Sequence, residues 1–251
     1  MKFSEELVAA GQPILHEIYQ HPFVEGIGNG DLPKEALTFY VGQDYNYLNA
    51  FIKVYADAIQ KSQTRADMAI FAKQIDFILN SEIHPHHNFC NVAGVKYETL
   101  QHEPQAPGIY LYNEHMYRTA RTGDLIDIVA AMTPCPWTYL EIANRFVKQG
   151  KNGNDNVFKP WIDFYADMGD DDDSILPQMF ALIDREAEHY DQHHLDVVKE
   201  EFLKSCELEW EFWDQAYHQR SWHFVKPMKQ YRLKRLRVLR QLLLVNKILE
   251  F

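Results

Sequence analysis

The 251-residue sequence carries only three cysteines, Cys90, Cys135 and Cys206, too few and too scattered for a disulfide framework. Its start, Met1-Lys2-Phe3-Ser4-Glu5-Glu6, lacks the apolar stretch of a signal segment, so a reducing cytoplasm is the expected compartment. No run approaches the roughly 20 apolar residues that span a bilayer. The tail run Leu242-Leu243-Leu244-Val245 is far too short, and no membrane span is expected. Basic charge is also scarce outside the C-terminus. Residues 221–251 hold eight Lys/Arg and one Glu, leaving 17 basic against 35 acidic residues in the rest. A body near −18 cannot neutralise phosphates, which excludes nucleic acid as its partner. Alternating strand patterns and internal repeats are missing too, which leaves an all-α bundle. Gly26-Ile27-Gly28-Asn29-Gly30 follows no strand and no Lys-Ser/Thr closes it, so it is not a phosphate loop. The acidic run Gly169 to Ser174 lacks the spaced ligands of a calcium loop and reads as a solvated loop before a helix.

What is present is apolar periodicity at helical spacing, interrupted in a few places by polar residues. A first helix is expected from about Ser4 to Tyr19, followed by a turn-rich link through His21-Pro22-Phe23 and the glycines to Asp31. From about Pro33 to Lys61, Leu37, Tyr40, Val41, Leu48, Phe51, Ile52, Tyr55 and Ile59 form one stripe, on which Asp44 and Tyr47 also fall. An inward carboxyl group needs a partner, so Asp44 either ties down the core or faces a polar ligand. A second helix, about Arg65 to Val92 with a bend at Pro85, carries Glu82 and His86 on its apolar face. Glu82 and His86 sit one turn apart and invite a metal, with His84, His87, His189, His193 and His194 as further candidates, but paired Glu-x-x-His motifs are lacking. The bland reading is a hydrogen-bonded Glu–His pair with no metal.

Residues 93–108 read as a connection, and Tyr110 to Ala120 as a helix with Tyr112 inward. Between Leu125 and Phe146 the apolar pattern runs up to and away from Met132-Thr133-Pro134-Cys135-Pro136-Trp137, which predicts one helix kinked at Cys135. Trp161, Phe164 and Tyr165 lie on a short helix. Glu209 falls on the apolar stripe of a long helix from about His194 to Tyr217, as a second inward carboxyl group. A thiol at a kink, two inward carboxyl groups and several tyrosines amount to an enzyme-like inventory for a flat, polar aromatic ligand. No Cys–His dyad activates the thiol in the sequence. A basic, loosely amphipathic helical pattern fills 225–251, suited to an anionic surface or appended to the working chain.

These motifs carry a resemblance. Asp44-Tyr45-Asn46-Tyr47, Tyr112, His115-Met116-Tyr117-Arg118, Ala131 through Tyr139 and Glu209-Trp210-Glu211-Phe212-Trp213 are similar to the TenA family of thiaminase II proteins over residues 1–220. The resemblance implies a haem-oxygenase-like multi-helix bundle without haem, as a single domain at 1–220, usually homotetrameric, with the basic extension at 221–251 outside the family pattern. It implies hydrolysis of 4-amino-5-aminomethyl-2-methylpyrimidine to the hydroxymethyl compound in thiamin salvage, with thiamine as a second substrate and no cofactor or metal. By the same resemblance Cys135 is the nucleophile and Glu209 the general acid and base. Asp44 holds the 4-amino group and the adjacent ring nitrogen, Tyr112 and Tyr165 hydrogen-bond the pyrimidine, and Tyr47, Tyr139 and Phe212 pack around it. Pro136 and Trp137 depart from the family pattern. The alternatives are a di-iron oxidase on the same bundle, using Glu82 and His86, and a non-catalytic thiamin- or pyrimidine-binding regulator.

Overall fold

The computed structural model describes residues 1–81, 83–167 and 174–225. Glu82, most of the acidic run (168–173) and the basic stretch 226–251 lie outside the described residues. Among those described, eleven α-helices and one 3-10 turn make up the regular structure, and no strand occurs. In order these are α1 (Phe3–Gln20), α2 (Pro22–Asn29), α3 (Lys34–Lys61), α4 (Arg65–Asn80), α5 (Ile83–Ala93), the 3-10 turn Tyr97–Thr99, α6 (Pro107–Thr122), α7 (Leu125–Met132), α8 (Pro134–Lys148), α9 (Lys159–Asp167), α10 (Ile175–Ala187) and α11 (Gln192–His218). All eleven belong to the compact unit Met1–Arg220.

Helix α7 is buried along its whole length, as a helix apolar on every side must be. Its one polar member, Asp127, accepts the Asp124 backbone N–H at 2.7 Å and so serves the cap. Around α7 pack α3, α6, α10 and α11. The two long helices, 28 residues in α3 and 27 in α11, touch each other and bring their apolar stripes, with Asp44 and Glu209, into one core.

Three local expectations are corrected. The link after α1 is helical: Pro22 starts α2 at a position where its missing N–H costs nothing, and His21 Nδ1 accepts the Phe23 N–H at 3.1 Å. Its glycines serve packing as well as turning. A Cβ on Gly28 would lie 2.6 Å from the Phe146 ring, whereas Gly30 closes α2 at a φ of 76°. The expected helix at 65–92 is two helices, broken at Ser81 rather than at Pro85, because Pro85 sits in the first turn of α5, where a proline is tolerated. The bend in the cysteine segment falls at Thr133, not Cys135. There the Thr133 Oγ1 donates to the Val129 carbonyl at 2.6 Å, which the Thr133 N–H also uses at 2.9 Å, and Pro134 opens α8. Cys135 is carried in the first turn of α8, just past the bend.

Candidate active site

Helices α3, α4, α8, α9 and α10 enclose a pocket of about 480 Å³ of empty space, part of it open to solvent. Helix α3 contributes Asp44, Tyr47, Leu48, Phe51 and Tyr55, residues three or four apart and therefore on one face. From α8 come Cys135, Pro136 and Tyr139, from α9 Tyr165, from α10 Ile175, and from α4 Gln74, Phe77 and Ile78. Five of the eight residues singled out in the sequence, Asp44, Tyr47, Cys135, Tyr139 and Tyr165, thus share one wall. The thiol is half-buried. Tyr139 and Tyr165 pack ring on ring at 4.8 Å, and the Tyr139 hydroxyl meets that of Tyr40 at 2.6 Å.

The other three, Tyr112, Glu209 and Phe212, are not on that wall. They stand behind Tyr47, whose ring lies 4.9 Å from that of Tyr112 and stacks on Phe212 at 6.5 Å. Tyr112 donates its hydroxyl to Glu209 Oε1 at 2.7 Å. Glu209 is 1% exposed, and burial pushes its carboxyl pKa up to about 8; the Tyr112 hydrogen bond opposes that rise and the nearby Asp44 adds to it. Glu209 therefore holds a proton near neutral pH. Burial raises the phenols of Tyr40, Tyr47, Tyr112 and Tyr139 well above their usual range, so all four remain hydroxyl donors. Asp44 has different company: its Oδ2 shares a 2.6 Å hydrogen bond with His86 Nε2, and His86 Nδ1 lies 3.4 Å from the Tyr97 hydroxyl. His86 is thereby engaged on both ring nitrogens. Its suspected partner Glu82 lies outside the described residues. A different cluster, Asp124, Asp127 and His194, has three ligand atoms close enough for a metal, but its groups serve the α7 cap and the 3.1 Å link from His194 to Asp127.

Residues 8–219 match the TENA/THI-4/PQQC family. The chain belongs to that family. Among its relatives, the aminopyrimidine aminohydrolase of Halalkalibacterium halodurans is 32% identical over 225 residues, 89% of this chain and 99% of that one. The enzyme of the same name from Staphylococcus aureus is 32% identical over 226 residues, 89% of this chain and 97% of that one. Among solved structures, a TenA family transcription regulator from Silicibacter sp. TM1040 superimposes with a TM-score of 0.75 at 27% identity, covering 86% of this chain and 96% of that one. A haem-oxygenase-like domain from Shewanella denitrificans reaches 0.64 at 13% identity over 86% and 90% of the two chains, which supports the fold alone. The expected family and fold class are both borne out.

In this TENA/THI-4/PQQC chain the sequence reading missed Tyr40, Gln74 and the apolar wall from α4 and α10. Tyr40 carried a signal, one turn before Asp44 on the same stripe, but a tyrosine on an apolar face reads as core until its hydroxyl partner is seen. Gln74 interrupts the Phe71–Ile78 face of α4 and is buried. A polar side chain at that register was readable as a wall residue. Ile175 had no signal at all, because nothing local in α10 tells which element its face will meet.

Proposed function

We propose that this protein hydrolyses 4-amino-5-aminomethyl-2-methylpyrimidine to its hydroxymethyl counterpart, as a hydrolase of thiamin salvage. Membership of the family and the shared name of its relatives support the hydrolase class. The observation that carries the chemistry is the common wall of Cys135, Asp44 and the tyrosines, which suits a flat ring with hydrogen-bonding edges. In this reading the pyrimidine lies against Tyr47, Tyr139 and Tyr165, and Asp44 receives its 4-amino group, held in place by His86. The Cys135 sulfur adds to a ring carbon as its thiol proton passes to a ring nitrogen. The electrons then expel the amine from the methylene carbon, leaving an exocyclic methylene. Water adds to that carbon, the C–S bond breaks with its electron pair on sulfur, and the ring nitrogen returns its proton to the thiol as the ring recovers its aromaticity. Glu209, buried and protonated, supplies the proton for the departing amine and recovers one from the water. Thiamine follows the same path with its thiazole as the leaving group.

The test is product formation from the aminomethyl pyrimidine by metal-chelated protein. Turnover is expected for the wild type and none above background for Cys135→Ser; full activity in that variant would sink the thiol mechanism. We place the protein in the cytoplasm as a homotetramer on its family resemblance, which sedimentation of the purified protein checks. The activity resides in residues 1–220, so a chain ended after Phe224 retains its kcat.

A further inference from the structure

The group assigned to proton transfer is not in the pocket wall. Glu209 sits behind the wall, hydrogen-bonded by Tyr112, and the side chain between that pair and the cavity is Tyr47. Tyr47 is 4% exposed and lines the pocket; its hydroxyl makes no hydrogen bond of good geometry among the described residues, and the group it interacts with as a hydrogen-bonding neighbour is the Tyr112 hydroxyl. A buried hydroxyl without a hydrogen bond of good geometry costs stability that a phenylalanine ring at the same place would not. Its neighbour is the Tyr112 ring, 4.9 Å away, and the Tyr112 hydroxyl interacts with both the Tyr47 hydroxyl and the Glu209 carboxyl group. A phenol on a cavity wall, next to a second phenol that is itself bonded to a buried acid, is the layout of a proton path.

We propose that Tyr47 and Tyr112 form a two-phenol relay that carries the Glu209 proton to the leaving amine in the pocket. This rests on the hydrolase reading given above. As the C–N bond breaks, its electron pair goes to the amine nitrogen, and the Tyr47 O–H passes its proton to that nitrogen. The Tyr112 O–H reprotonates Tyr47, and the Glu209 O–H reprotonates Tyr112. Ammonia leaves and Glu209 is left as a carboxylate. When water adds to the exocyclic methylene, its proton returns along the same hydroxyls to Glu209, so no net proton is gained or lost. In the structure Tyr112 donates to Glu209, the direction of the return; delivery to the amine needs the Tyr112 O–H turned to Tyr47 and the Glu209 O–H turned to Tyr112. Neutral thiazole departs from thiamine without a proton, so the first half-reaction of thiamine bypasses the relay.

The experiment compares the single-turnover release of ammonia from the aminomethyl pyrimidine and of thiazole from thiamine, in wild type, Tyr47→Phe, Tyr112→Phe and the double variant. A relay slows ammonia release about 10- to 100-fold more than thiazole release in each single variant, with the double variant no slower than the singles. Ammonia release by the wild type in mixtures of light and heavy water then gives a curved dependence on deuterium fraction, from several protons in flight. The Tm of Tyr47→Phe stays level or rises, which separates lost chemistry from lost folding. A linear isotope dependence in the wild type, or equal slowing of both leaving groups by Tyr47→Phe, overturns the relay while leaving the hydrolase intact. Absence of ammonia release by the wild type overturns the hydrolase reading, and the relay with it.

Discussion

The Asp44 end and the Glu209 end of the site use the same functional group in opposite settings. Both carboxyl groups are buried on long helices, α3 and α11, within one core. Asp44 is on the pocket wall and is tied through a 2.6 Å bond to His86, which in turn reaches Tyr97. Glu209 lies off the wall with a hydroxyl, Tyr112, as its hydrogen-bond donor, and burial pushes its pKa up to about 8. A partnered carboxyl group is suited to holding a ligand edge, and a desolvated one near neutrality to moving protons. Burial alone is therefore uninformative about role. The partners that accompany the group into the core decide it.

Breaking the Glu209 side should have the largest effect. Glu209→Gln keeps shape and loses the transferable proton, so kcat on the aminomethyl pyrimidine is expected to fall by about 10²–10⁴ with a smaller change in KM, as steady-state kinetics would read. The same variant sharpens the contrast in stability. Because the folded-state pKa of about 8 lies above the 4.5 of an exposed glutamate, folded chains between those values keep a proton that unfolded chains have lost. Stability contributed by this group is thus lost as pH rises through that window. Glu209→Gln removes the slope, so its Tm should exceed that of wild type by a few degrees at pH 8, and the gap should shrink toward pH 5. A constant gap would show that Glu209 does not stay protonated in the fold.

On the other side, Asp44→Asn should raise KM about 10- to 100-fold, the worth of a hydrogen bond involving a charged group, with a lesser effect on kcat. His86→Gln acts only through Asp44 and should raise KM by about 3- to 10-fold, with kcat near that of wild type. Equal kcat losses from Asp44→Asn and Glu209→Gln would erase the distinction drawn between the two ends. A His86→Gln protein with unchanged KM would remove His86 from the binding apparatus.

Apolar stripes on α3, α4, α6 and α11 were legible in the sequence because helix periodicity is a local property, and polar residues on those stripes pointed to part of the pocket lining and to the carboxyl group behind it. Asp44, Tyr47 and Glu209 announced themselves in that way, and Cys135 by the prolines on either side of it. The bend was misplaced by two residues, since the two prolines drew attention to Cys135 while the Thr133 side chain back-bonded to Val129. The glycine-rich link read as turns because the ring of Phe146, which presses on Gly28, comes from a helix more than a hundred residues later.

By itself, then, the sequence determined the helical class, the family and the residue types that can do the chemistry, because these follow from spacing and side-chain identity. Only the tertiary structure decided which carboxyl group faces the pocket and which stands behind it. His86 is 42 residues from Asp44, and Tyr112 is 97 from Glu209, and neither pairing leaves a trace at helical spacing. Protonation is decided there too, since the free energy of charging a carboxyl group depends on every atom that replaces its water, and those atoms come from helices brought together by the fold.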